Sequence, residues 1–156
     1  MKPRIDVAPS GVMKVMAGLE QHVRSSRVES KLLQLVRMRA SQINGCAYCL
    51  DMHSKDARAE GESEQRLYEL DAWRETPFYT ERERAALEWT EALTLIHQSH
   101  APDEVFEHVR QHFNDDELVA LTLAIVAING WNRLAIGFRA VPGSYQVPAT
   151  QHAKTA

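Results

Sequence analysis

The sequence predicts an all-α fold, a single-domain bundle of about six or seven helices. Three observations predict it. Ser26, Thr80 and Asn114 are each followed three residues later by a glutamate (Glu29, Glu83, Glu117). In that arrangement a side-chain oxygen takes the backbone N–H three residues on and the glutamate reaches back, which opens a helix. Apolar residues recur at helical spacing through most of the chain. No run alternates apolar and polar residues between turn signals, so no strand is predicted. The chain's 156 residues form one domain large enough for its own core. Residues 1–140 form the helical body, and 141–156, with Pro142, Gly143 and Pro148, form an irregular tail.

Taken in order, Pro9 and Ser10 precede the amphipathic stretch VMKVMAGLEQHV. The Ser26–Glu29 signature opens a second helix reaching about Gln42, with Leu32, Leu33, Leu35, Val36 and Ile43 on its apolar side. Asn44-Gly45 breaks it. A third helix runs to about Glu60, where Gly61 suits a C-terminal cap. A short piece, Ser63 to Leu70, leads into DAWRETPFY, whose Pro77 cannot lie inside a helix. Thr80–Glu83 opens a helix predicted to end near His100, and Pro102 starts another reaching about Phe113. Asn114–Glu117 opens the last long helix, Leu118 to about Arg139. It is apolar on nearly all sides through Ile128, so it should be central or sandwiched between subunits. Trp89, Trp131 and the methionines Met13, Met16, Met38 and Met52 are expected as packing residues. Arg37, Arg39 and Arg133 are expected to be solvated or salt-bridged, and Arg139 and Asp51 receive no role.

The net charge of −3 argues against nucleic acid or an anionic membrane as partner. The run Leu118–Ile128 is too short to span a bilayer, and the first residues carry no signal-peptide core. Two cysteines make no disulfide framework, so a cytoplasmic setting is expected.

Both cysteines lie in SQINGCAYCLDMH, residues 41–53. Cys46 and Cys49 are three apart and His53 follows Cys49 by four, so on a helix all three share a face. A cysteine in the first turn feels the positive end of the helix dipole, which favours thiolate. A thiolate, a second thiol and an imidazole together make a redox-active dithiol. Other readings compete with it. The cysteines could be inert core residues. A zinc site would need a fourth ligand beyond Cys46, Cys49 and His53. His108 and His112 have helical spacing but lie far along the chain, and are expected on an exposed face. No metal or cofactor is expected.

The blocks LLQLVRMRASQINGCAYCLDMH, ERERAALEWTEALT and DDELVALTLAIVAINGWNRLAIGFR resemble the alkylhydroperoxidase AhpD-like branch of the carboxymuconolactone decarboxylase superfamily. The resemblance covers about Glu29 to Pro142. It implies an antiparallel helical hairpin around the dithiol and a trimer or hexamer. It implies a thiol peroxidase in which Cys49 attacks the hydroperoxide, Cys46 resolves the sulfenic acid, and His53 completes the proton relay. It implies regeneration by a lipoyl- or thioredoxin-type dithiol protein. Two positions depart from the family pattern. The family's glutamate lies twelve residues before the first cysteine, where this chain has Gln34. An amide can hydrogen-bond but cannot take a proton at neutral pH. Some members carry a histidine just before the second cysteine, where this chain has Tyr48. Gln34 could be a surface residue or a polar contact over the dithiol, and Tyr48 a packing or pocket residue. A dithiol–disulfide adaptor and a non-catalytic redox-sensing oligomer are the alternatives. Lactone decarboxylation does not depend on a Cys-x-x-Cys pair, whose presence argues against it.

Overall fold

The computed structural model describes residues 2–4 and 10–148, and its regular structure is all helical, with no strand among the described residues. The helices are α1 (Ser10–Arg24), α2 (Ser30–Asn44), α3 (Ala47–Ala59), α4 (Glu64–Tyr68), α5 (Glu81–Thr94), α6 (Ile96–Ser99), α7 (Asp103–Arg110) and α8 (Asp115–Gly137). A 3-10 turn, Leu70–Ala72, follows α4. Thr80 and Asn114 cap α5 and α8 as reciprocal boxes, each accepting from the backbone N–H of the glutamate that reaches back to it.

The signature at Ser26 does not open a helix. α2 begins at Ser30, with Glu29 extended and making no side-chain cap. The Ser26 hydroxyl instead accepts from the Val28 N–H at 3.4 Å, which closes a turn. Val28 is drawn into the core, and the Glu29 carboxylate pairs with Arg82 at 3.1 Å. The helix predicted to reach His100 is broken at Leu95, and α6 then ends at His100, whose φ of 51° is left-handed. Pro102 stands just before α7 in an extended conformation, and α7 stops at Arg110, short of Phe113. Met38 is buried as expected, whereas Met13 is largely exposed on α1 and does not fill a core gap.

α2 is buried on nearly every side, with Leu32 through Met38 all inside. Leu32, Leu33 and Val36 join the main core with Trp89, Leu121 and Ile125. Leu35 and Met38 join a second cluster with Leu70, Trp73 and Leu87. A helix buried all round must take its polar residues inside with it, and buried polar groups need partners. Arg37 meets Glu20 of α1 at 2.8 Å. Arg39 meets Glu91 of α5 at 2.7 Å. α8 is long and apolar enough to cross a membrane by composition, but it packs against α1, α2, α5 and α7.

At the end of α2, Gly45 takes φ 68°, a left-handed cap that favours glycine. Asn44 donates to Asn129 (3.0 Å) and Asn132 (2.9 Å), and Asn132 donates to Ser41 at 3.0 Å, tying this turn to α8. Beyond α8, residues 138–148 hold no helix and lie along α3. Asp51, to which the sequence assigned no role, accepts from the Gly143 N–H at 2.9 Å. Tyr145 donates its hydroxyl to Asp56 at 2.7 Å, and Lys55 donates to the Tyr145 carbonyl at 3.1 Å. Residues 149–156 of the predicted tail, and Pro9 before α1, lie outside the described residues.

Candidate functional site

The turn at Gly45 fixes where α3 begins. Cys46 is its N-cap, extended at φ −86° and ψ 92°, rather than a residue of the first turn as predicted. Its sulfur accepts from the Cys49 N–H at 3.3 Å. Cys46 and Cys49 are joined by a disulfide, with Cα atoms 5.4 Å apart, and each is about 1% exposed. Ala40 of α2 and Ile128 of α8 complete the cluster around the sulfurs.

Tyr48, Trp131 and Ala135 pack against that cluster from outside. The same three residues line a cavity of about 360 Å³, with Leu134, Phe138 and Val141 among its other walls. Tyr48 and Trp131 therefore both pack against the cysteine cluster and form the partition between the cavity and the disulfide.

His53, one turn beyond Cys49 on α3, is buried. Its Nδ1 lies 3.1 Å from Oε1 of Gln34. Gln34 is buried too, and its Nε2 donates to Oε1 of Glu60 at 2.9 Å. Gln34 is thus not a surface residue but an interior contact that bridges an imidazole to a carboxylate. Burial pushes the His53 imidazole down to about 3 from the ordinary 6.5, and the positive charges of Arg37 and Arg24 act in the same direction. The ring is neutral near pH 7.

Glu60 is the member of this arrangement that sequence reasoning missed. It lies seven residues after His53, two turns on along one helical stripe, and that spacing was the available signal. It was read only as a helix end. His108 and His112 stand apart from the thiols. His108 bonds Glu88 at 2.7 Å, and His112 lies beyond the end of α7. Among the described residues no group of three or more His, Cys, Asp or Glu is placed to hold a metal ion.

The fold and site define a class: helical proteins that seat a Cys-x-x-Cys pair at the start of a hairpin helix. The chain belongs to the carboxymuconolactone decarboxylase family, whose model matches residues 10–92. Within that family it sits in the AhpD-like branch. It is 46% identical over 131 residues to the uncharacterized protein YdfG of Bacillus subtilis, covering 84% of this chain and 88% of that one. A crystal structure of ATU0492 from Agrobacterium tumefaciens, a protein of unknown function named as a candidate antioxidant defence protein AhpD, superposes with a TM-score of 0.87. That match is 46% identical and covers 92% of this chain and all of the other. An uncharacterized peroxidase-related protein from Silicibacter sp. TM1040 shares the fold at TM-score 0.76 and 21% identity, over 93% of this chain and 74% of that one.

Proposed function

We infer that the protein is a thiol peroxidase that reduces hydroperoxides through Cys46 and Cys49. One observation carries this reading: a disulfide-bonded Cys-x-x-Cys at a helix start, with a buried neutral imidazole one turn away. In the reduced enzyme the Cys49 thiol gives its proton to His53 only as its sulfur attacks, in one step with departure of the alkoxide, because burial disfavours a free-standing imidazolium. The sulfur attacks the terminal peroxide oxygen and the O–O bond breaks. The departing alkoxide takes the proton from His53, leaving an alcohol and a Cys49 sulfenic acid. Cys46 attacks that sulfur, the S–S bond forms, and water leaves with the Cys46 proton. The peroxide gains two electrons and the dithiol loses them. The Cys49 N–H aimed at Cys46 supports its thiolate as the resolving nucleophile.

The substrate is a small hydroperoxide with an apolar body. Both sulfurs are shut from bulk solvent, and the adjoining cavity is walled largely by Tyr48, Trp131, Leu134 and Phe138. The same burial weighs against a broad protein surface as direct oxidant. It favours a slender dithiol, such as a lipoyl arm, as the reductant over a thioredoxin-type surface. A homo-oligomer, trimer or hexamer, is part of this reading. It is supported by the exposed apolar residues Val119, Val126 and Ile136 on α8.

The test is peroxide consumption by the dithiol-reduced protein, followed by stopped flow together with a count of free thiols. Wild type loses both thiols for each peroxide consumed, and Cys49→Ser abolishes turnover. Full turnover in Cys49→Ser would sink the assignment.

A further inference from the structure

Glu60 is held in an unusual way for a carboxylate near a helix end. Its Oε1 accepts from Gln34 at 2.9 Å. Its Oε2 is buried with no hydrogen-bond partner. Among the described residues no cation pairs with it, so a structural salt bridge does not account for it. The group on the other side of Gln34 is the site imidazole.

The hydrogen bonds among these three side chains define one arrangement. Gln34 turns its NH₂ toward Glu60, whose Oε1 accepts from Nε2. The Gln34 carbonyl oxygen then faces His53 and can only accept from it. His53 Nδ1 must therefore carry a hydrogen. Because the buried ring is neutral, its Nε2 is left with a bare lone pair. Reversing the amide would set an NH₂ against His53, force the hydrogen onto Nε2, and remove the base.

We propose that Glu60 is a positioning residue of the thiol site: through the Gln34 amide it holds His53 in the tautomer that is protonated on Nδ1 and free to accept a proton on Nε2. This rests on the peroxidase reading for its catalytic meaning. The acid missing at position 34 stands instead one hydrogen bond further out. The arrangement follows a general rule, that the group behind a histidine decides which ring nitrogen can react.

The experiment is ¹⁵N nuclear magnetic resonance of the histidine-labelled protein, with the His53 signals assigned by their loss in His53→Phe. Wild type should show the Nδ1–H tautomer at neutral pH, and an Nε2–H tautomer there would overturn the proposal without recourse to any variant. In Glu60→Gln the amide is free to reverse. The tautomer should shift toward Nε2–H, and the peroxide rate should fall at least about tenfold. The double variant Gln34→Glu/Glu60→Gln places the carboxylate directly on Nδ1, and should restore both tautomer and rate. A folded Glu60→Gln protein with an unchanged tautomer also overturns the proposal. If the tautomers respond as expected while even the wild type consumes no peroxide, the positioning role stands and the peroxidase reading falls.

Discussion

At the start of α3 the sulfurs of Cys46 and Cys49 are wrapped by Ala40 and Ile128, with Tyr48 and Trp131 outside them. One to three turns further along the same helix, His53 and Glu60 meet Gln34 in an unbroken run of hydrogen bonds. The first region is apolar and held by packing. The second is polar and held by direction. Van der Waals packing tolerates small shifts, whereas a hydrogen-bonded chain fails when one donor reverses. On the proposed reading electrons move through the first region and protons through the second. Separating them keeps the dithiol out of water while leaving a base within one turn.

The largest expected effect removes the polar side alone. His53→Phe should slow peroxide-dependent thiol oxidation by about 100- to 10,000-fold, the usual range for a lost general base. It should also change how stability depends on pH. The folded protein refuses a proton on His53 until about pH 3, whereas the unfolded chain accepts it near 6.5. The stability tied to neutral His53 is therefore complete above pH 6.5. It falls by about 1.4 kcal/mol for each pH unit lost through that window. The phenylalanine variant lacks this contribution, so urea titrations at stepped pH should show a shallower fall. Equal slopes in the two proteins would contradict the buried neutral ring.

Ile128→Ala attacks the apolar side instead. Ile128 is fully buried against the cysteines, and its truncation should cost about 2–5 kcal/mol. Urea midpoints measure this. The His53 tautomer should be unchanged, because Ile128 packs with Ala40 and the cysteines whereas the tautomer is held by hydrogen bonds through Gln34 to Glu60. If the tautomer moves, the two regions are coupled and the division drawn above fails.

The smallest effects concern the helix starts. Thr80→Ala should destabilise by about 1 kcal/mol, because it removes a working cap. Ser26→Ala should change stability by no more than about 0.5 kcal/mol, since its hydroxyl closes only a turn. Thermal midpoints of the two variants should differ accordingly.

These three signatures also mark how far local chemistry can be read from the chain. All three have the same residue pattern, yet only Thr80 and Asn114 cap helices. At Ser26 the burial of Val28 and the pull of Arg82 on Glu29 prevailed, and neither is visible in a four-residue window. Gln34 was legible as the residue standing where the family has a glutamate, but not as a bridge, because its second partner lies 26 residues away.

The helical class, the Gly45 break, the pairing of Cys46 with Cys49 and the turn-by-turn spacing to His53 are all readable from the chain alone. Each depends on backbone preferences or on neighbours within one or two helical turns. It took the packed fold to bury α2 on nearly every side, and with that burial came the rest. A helix buried through its middle had to find partners for Gln34 and Arg37. It found Glu60 for one and Glu20 for the other, on elements distant in sequence. The cost of leaving a polar group dry and unpaired is a property of the packed interior, so no local pattern could announce which residues would meet it.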